Sequence, residues 1–372
     1  MEPNPKFQLE GARGHVTRRD VLAALGVLAL GGCVARTGGD VRESDVEAAQ
    51  LLDDVIGVDM HSHAAGATGR RTPAYDLAAR MRSGRMTAVC LQHTSDGPVI
   101  KRDPQNRVRV TREPDPGELW RFTQSRLAWF DNLVQSQGLR RALRRGDLEA
   151  AHRDRAPAIV QAIEGCQFME GRLEHLAEVH RRGVRHLQLV HFMRSDLGDN
   201  QTESPTQGGL TPLGRDVIAE CNRLGLVVDV AHGTLALVEG AARASRTPLI
   251  LSHTNLASRR LDPFTRLISG DHGKIVASTG GVVGIWASPT FTSLAGYVDG
   301  VTRAVETLGV DHVGFGTDNS GFGQSQAVWT DYADFPLVVQ LLRRKGFSAT
   351  DVGKLVGRNY VRVFNQSVPA SD

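Results

Sequence analysis

From about residue 50 onward, short apolar, β-branched runs alternate with longer stretches whose apolar residues recur at helical spacing, the pattern of repeated βα units around a parallel sheet. The runs are Val55 to His61, Met86 to His93, Ala158 to Glu164, Val184 to His191, Leu226 to His232, Pro248 to His253, Gly281 to Ala287 and His312 to Asp318. Between them, Gly171 to Arg182 places Leu173, Leu176, Ala177 and His180 at helical spacing, and Thr211 to Leu224 opens with a threonine cap and a first-turn proline. Near-continuous apolar strands ask for burial on both faces, and eight such units in roughly 300 residues predict an α/β fold of the (β/α)8 TIM-barrel type.

Two stretches interrupt the rhythm. Ser95 to Glu118 is rich in Pro, Asp and Arg and predicts a long surface loop, and Ser195 to Gly209 predicts a mobile flap after the fourth strand. Phe347 to Phe364 predicts a closing helix or two, with a capping box at Ser348 to Asp351.

Polar residues fall where that barrel would gather them. The strands end in His61-Ser62-His63, His93, Glu164, His191, His232, His253 and Asp318. In a (β/α)8 barrel the strand C-termini converge on one mouth, so residues far apart in sequence meet in one pocket. Alternate residues of an extended strand share a face, so His61 and His63 can grip one ion together. Imidazole and carboxylate are ligands that zinc accepts, and a carboxylate such as Glu164 can bridge two ions while His232 and His253 complete the second. Two divalent ions, expected to be zinc, would hold a shared hydroxide for attack on a carbonyl. A lone strand-end histidine is usually a structural residue, and nothing around His93 marks it out. The coincidence across strands carries the metal-site expectation. Histidines 175, 180 and 272 fall in helical stretches and are expected in solvent, and Cys166 is expected to pack.

Composition narrows the classes. The chain has 372 residues, 41% hydrophobic and 23% charged, the balance of a packed globular protein. A formal charge of +3, with basic residues scattered, lacks the clustering of a nucleic-acid footprint. The four cysteines, at 33, 90, 166 and 221, show neither zinc-ribbon nor disulfide-framework spacing.

The first residues read as an address. Arg18-Arg19 precede an apolar run, Val21 to Leu30, that is far short of the roughly 20 residues a membrane span needs. The twin arginine resembles a Tat export signal, and Leu30-Gly31-Gly32-Cys33 resembles a lipobox. The expected organisation is a signal peptide over 1–33, a tether over 34–48 and a barrel domain over 49–368. The mature protein would be an exported periplasmic or cell-envelope lipoprotein that meets the membrane only through a lipid on Cys33.

The residues also resemble the membrane dipeptidases, the M19 peptidases of the metal-dependent amidohydrolase superfamily. The motifs that carry the resemblance are Val58-Asp59-Met60-His61-Ser62-His63, Ala162-Ile163-Glu164-Gly165, Gly209-Leu210-Thr211-Pro212-Leu213-Gly214, Leu226-Val227-Val228-Asp229-Val230-Ala231-His232, Leu251-Ser252-His253-Thr254, Val313-Gly314-Phe315-Gly316-Thr317-Asp318 and Gly357-Arg358-Asn359-Tyr360-Val361-Arg362-Val363. The resemblance implies a dipeptide-like substrate, a possible homodimer and two zinc ions bridged by Glu164, with His61 and His63 on one and His232 and His253 on the other. It also implies that His191 contacts the scissile carbonyl, that Asp318 handles protons, and that an arginine holds the substrate carboxylate. Arg266 fits that last role best by position, with Arg260 and Arg259 as rivals. The family's first motif is usually His-x-Asp, whereas this chain has His61-x-His63, and downstream of Asp318, where the family often has a second aspartate, this chain reads Asn319-Ser320-Gly321. Two other activities stay open: a related amidohydrolase acting on a lactone, phosphoester or non-peptide amide, and a non-catalytic periplasmic binding lipoprotein, against which the presence of Asp318 speaks.

Overall fold

The computed structural model describes residues 50–67, 75–105, 107–257, 266–288, 290–321, 328–329 and 331–370. The signal, tether and Cys33 assignments, and Arg259 and Arg260, lie outside these residues. No helix among the described residues is long and apolar enough to cross a membrane.

All eight expected strands form. They are β1 (Val58–Ser62), β2 (Ala88–Thr94), β3 (Ala158–Glu164), β4 (Val184–Gln188), β5 (Val227–Asp229), β6 (Ile250–Thr254), β7 (Val282–Ile285) and β8 (Val313–Phe315). Helices follow each strand: α1 (Leu77–Gly84), α2 (Glu118–Gln137) with α3 (Asp147–Arg153), α4 (Glu174–Arg181), α5 (Pro212–Leu224), α6 (Leu235–Ala244), α7 (Gly270–Ser278), α8 (Leu294–Leu308) and α9 (Phe335–Arg344). The strands pair in parallel from β2 through β1, β8, β7, β6, β5 and β4 to β3, and β3 pairs back onto β2 from Ala88↔Ala158 to Thr94↔Glu164. That last ladder closes the sheet into a (β/α)8 barrel.

Alternation along the strands makes two cores. Val58, Met60, Ala88, Cys90, Val160, Val227, Ile250 and Val282 fill the interior, with Tyr360 and Phe364 of the terminal helix α11 (Asn359–Ser367) packed against them. The short α10 (Ala349–Gly353) precedes it, capped by Ser348, whose hydroxyl accepts from Asp351 N. Outward-facing residues such as Val89, Leu91, Ile159, Ile163, Leu187 and Val283 pack against the helices. The threonine cap and first-turn proline of α5 form as expected, with Thr211 Oγ1 accepting from Gly214 N.

Three expectations need correction. The 95–118 stretch is not simply a surface loop: Ile100–Arg102 and Val108–Val110 form an antiparallel hairpin, and Asp96 is fully buried. The stretch after β4 is pinned, because the Asp199 carboxylate accepts from Thr206 N, Gln207 N and Gly209 N, and Leu197, Asp199 and Asn200 are buried. His175 and His272 lie on the inner faces of their helices and are buried, His175 stacked on Trp120 at 3.9 Å between ring centroids.

Candidate metal centre

The strand ends bring His61, His63, Glu164, His191, His232, His253 and Asp318 into one buried cluster at the barrel mouth. Two groups can be drawn around potential ligand atoms, His61–His63–Glu164 and Glu164–His232–His253, all atoms of each within 4.8 Å of one another. Glu164 is common to both. Its Oε1 lies 3.5, 3.3 and 3.7 Å from the Nε2 atoms of His61, His232 and His253, and its Oε2 lies 3.3 Å from Nε2 of both His63 and His191. Asp318 Oδ1 stands 3.3 Å from His63 Nε2.

The far sides of the rings are held from the strands. His63 Nδ1 is 2.9 Å from Gln92 O, a pure acceptor, so that nitrogen keeps its proton and Nε2 is the atom left to ligate. The Gln92 side-chain amide lies 2.7 Å from His61 Nδ1, and Ser252 Oγ lies 3.1 Å from His61 Nδ1 and 3.0 Å from His253 Nδ1. Gln92 Oε1 is buried without a partner. Turning that amide so its oxygen faces His61 satisfies it with an Nδ1–H and frees His61 Nε2 as a ligand. Outer hydrogen bonds of this kind fix the tautomer of metal-binding histidines. The donor set therefore fits cations: four imidazole nitrogens face one carboxylate, and the backs of His61, His63 and His253 are held, while His232 Nδ1 is buried without a partner.

The electrostatics favour the ligating form for three of the four imidazoles, and at His63 a cation would have to displace a proton. Burial holds His61, His232 and His253 well below the usual imidazole range, leaving the neutral form that ligates. Burial would raise the Glu164 carboxyl, but His191, His61, His232 and His63 outweigh it and hold the group well below its ordinary value. Burial lowers His63, yet the neighbouring carboxylates of Glu164 and Asp318 push it up to about 9. Burial, reinforced by the charge of Glu164, pushes Asp318 up to about 7. His232 and Asp318 both adopt left-handed backbone, at φ 66° and 53°. Strain of this kind gathers at functional sites.

Asp96 escaped the sequence reading. It follows β2, whose end is fastened to β3 by the Ser95 N to Glu164 O bond, and its Oδ1 lies 2.7 Å from His191 Nδ1 while Oδ2 accepts from Met193 N. Desolvation lowers His191, but Asp96 and Glu164 more than reverse that, so its affinity for a proton is raised. The signal available was only an aspartate three residues past an apolar run. Gln92 and Ser252 were also missed, although a polar residue immediately before a histidine inside a buried strand was visible in both cases.

Arg266 is at the site and Arg260 is outside the described residues. The Arg266 guanidinium lies over Trp286 at 5.9 Å, donates to Gln201 Oε1 at 3.0 Å, and donates to His253 Nε2 at 2.8 Å. His93 does not join the cluster. Its side chain falls on the opposite face of β2 from Gln92 and points to Thr123, Phe122 and Phe130. Cys166 packs as expected, its thiol reaching Gln188 O.

Fold and site together define a class: a (β/α)8 barrel whose mouth carries two overlapping groups of metal-ligand type. The chain belongs to the membrane dipeptidase family, peptidase family M19, whose model matches residues 47–371. It is 30% identical over 210 residues to Dipeptidase aclJ of Aspergillus oryzae, a match covering 54% of this chain and 49% of that protein. The chain thus aligns with about half the length of that relative. A probable dipeptidase, PvdM, from Pseudomonas aeruginosa superposes with a TM-score of 0.74 at 20% identity, over 88% of this chain and 98% of the other. A metallo peptidase from Rhodobacter sphaeroides, solved with a phosphinate mimic of the dipeptide L-Ala-D-Ala, gives 0.70 at 20% identity over 84% and 99%. These two structures share the barrel.

Proposed function

We propose that the protein is a dipeptidase that hydrolyses the amide bond of dipeptides or similar small substrates with two divalent cations, zinc foremost. The observation that carries this is Glu164, set between the Nε2 atoms of His61, His63, His232 and His253 at 3.3 to 3.7 Å. His61, His63 and Glu164 would hold one ion and Glu164, His232 and His253 the other. When bound, such ions supply Lewis acidity, bringing water to reactivity near neutral pH and polarising the carbonyl.

The chain's own residues do the rest. His191, whose hold on its proton Asp96 and Glu164 strengthen, donates from Nε2 to the carbonyl oxygen as it gains charge. Asp318 takes the proton of the attacking water and passes it to the leaving amine. Arg266 turns from His253 to the substrate carboxylate, which its planar fork can bind with two parallel hydrogen bonds. Trp286 and Gln201 keep it in place.

The test is metal analysis of the purified protein followed by a dipeptide screen with lactones, phosphoesters and other amides alongside. Hydrolysis of dipeptides that is lost in His232→Ala supports the assignment. Full activity in that variant ends it. We also propose that the chain is exported and lipid-anchored through Cys33, on the strength of Arg18-Arg19, the short apolar run and the small residues before the cysteine. Cys33→Ala should release the protein from membranes. Homodimerisation, implied by the family resemblance, is checked by sedimentation.

A further inference from the structure

We propose that Asp229 is a positioning residue for the Glu164–His232–His253 group: its carboxylate stands in for sheet hydrogen bonds at the seam between β5 and β6 and so holds both imidazoles against Glu164; this rests on the two-ion function above. That seam has a single registered pair, Asp229↔Ile250, and among the described residues the backbone joins the two strands no further toward the mouth than the bond from Val230 N to Ile250 O. Beyond it Asp229 Oδ1 takes over. It accepts from Ala231 N at 2.9 Å and from Ser252 N at 3.0 Å, the amides that immediately precede His232 and His253. One oxygen thus fixes where both ligand-bearing strand ends lie.

His232 has most need of such a hold. His61, His63 and His253 each have a partner behind the ring, whereas His232 Nδ1 is buried without one, so the placing of that ring falls to its backbone. The backbone there is left-handed, at φ 66°, a conformation that a non-glycine residue keeps only where its surroundings enforce it. The turn that Asp229 closes onto Ala231 N constrains it from one side. His232 O, accepting from Gln201 N at 2.7 Å, constrains it from the other.

Asp229 is itself moored. Its Oδ2 accepts from His186 Nε2 at 3.1 Å, which leaves His186 Nδ1 to accept from the Tyr360 hydroxyl of α11 at 3.2 Å. Ala231, Ser252, Asp229 and His186 are fully buried, so removing the carboxylate would strand two amide hydrogens away from water. Asp59 closes the same kind of turn on β1, where Oδ1 accepts from His61 N and Thr317 N. There the backbone also joins β1 to the end of β8, through Asp318 N to His61 O and His63 N to Asn319 O, so the β5–β6 seam depends more heavily on its aspartate.

The experiment is calorimetric titration of the metal-free full-length protein with Zn2+, alongside long-range 1H–15N spectra of the histidine rings. The wild type should take up two ions. Asp229→Ala should weaken one stepwise constant by about 10–100-fold, the usual loss on removing a residue that orients metal ligands, and the other less. In a His253→Ala background, where that group is already broken, Asp229→Ala should add no further loss to the ion that remains. Asp229→Asn keeps an oxygen for both amides and should recover most of the affinity. In the metal-free protein the His232 ring signals should broaden or split in Asp229→Ala, while those of His63 keep their wild-type widths. If circular dichroism shows Asp229→Ala unfolded, Asp229→Ser takes its place under the same outcomes, since its hydroxyl can close the local turn onto Ala231 N but is too short to reach Ser252 N. Unchanged constants, equal weakening of both, further loss in the double variant, unaltered His232 signals, or Asp229→Asn behaving like Asp229→Ala overturns the positioning role alone. A wild type that binds no cation overturns the two-ion function and the positioning role with it.

Discussion

Asp96 Oδ1 lies 2.7 Å from His191 Nδ1, with the carboxylate buried and its second oxygen held by Met193 N, so the imidazole has one orientation and a raised affinity for its proton. His191 Nε2 is thereby aimed at Glu164 and the space where a carbonyl would sit. Asp96→Asn keeps the shape and removes the charge. The expected result is a fall in kcat of about 10²–10³-fold, the scale of losing one oxyanion donor, with KM and metal content near wild type. Steady-state kinetics with metal analysis on the same preparation checks it, and an equal loss of metal would mean that Asp96 supports the ligands instead.

Asp318 predicts an acid limb. Its carboxyl is pushed up to about 7, chiefly by burial, so below that pH it carries the proton it needs to be free of. Activity should therefore rise with pH and level off. Cations beside Glu164 favour the anionic form and slide the limb lower. A kcat/KM profile from pH 4 to 9 should show the limb at or below roughly 7, the pH where a base of this kind titrates, and Asp318→Asn should remove it along with most of the activity.

Metal removal should cost stability as well as activity. Ligands drawn from β1, β3, β6 and the end of β5 tie distant parts of the barrel together, and a cation that binds only the folded chain stabilises it by ~2.7 kcal/mol at a hundredfold excess over Kd. Calorimetric melting should move to lower temperature after chelation and return on adding Zn2+. Glu164→Gln, which weakens both groups, should show little of that recovery.

The segment after β4 should loosen when its hub is lost. Asp199 is held below its ordinary value; burial opposes this, and three or more backbone N–H donors outweigh it. A carboxylate with a depressed folded pKa contributes stability above its unfolded value and loses it as pH falls through the folded one. Protease cleavage between 195 and 209 should thus accelerate below about pH 3.8, the unfolded value. Asp199→Ala should show it at neutral pH. Because Gln201 on this segment holds Arg266, KM should also rise by roughly tenfold, the effect of a small misplacement of a positioning group.

Much of this was legible in the chain. Apolar runs marked all eight strands because a barrel strand is buried on both faces, and strand-end chemistry placed Glu164, His232, His253 and Asp318 at one mouth. His93 was harder: only the side-chain alternation of β2 decides that Gln92 faces His61 while His93 faces α2. Asp96 sits among Pro, Gly and Arg, a composition that normally signals solvent, and only the closure of β2 on β3 buries it. The flap-like stretch after β4 looked mobile because sequence shows its polar residues and not the three amides that Asp199 gathers.

The ladder between β2 and β3 has a further consequence. Those strands are hydrogen-bonded neighbours although more than sixty residues separate Thr94 from Ala158 in the chain. The hairpin between Ile100 and Val110 in that excursion can lengthen, shorten or be exchanged among descendants without breaking a rung of the cylinder, whereas α2 packs into the core and Arg140–Arg141 pairs with β3. Asp96, at its very root, stays anchored through such changes. Selectivity for new molecules could therefore be rewritten in that insert while the ion-binding chemistry beneath it is inherited intact.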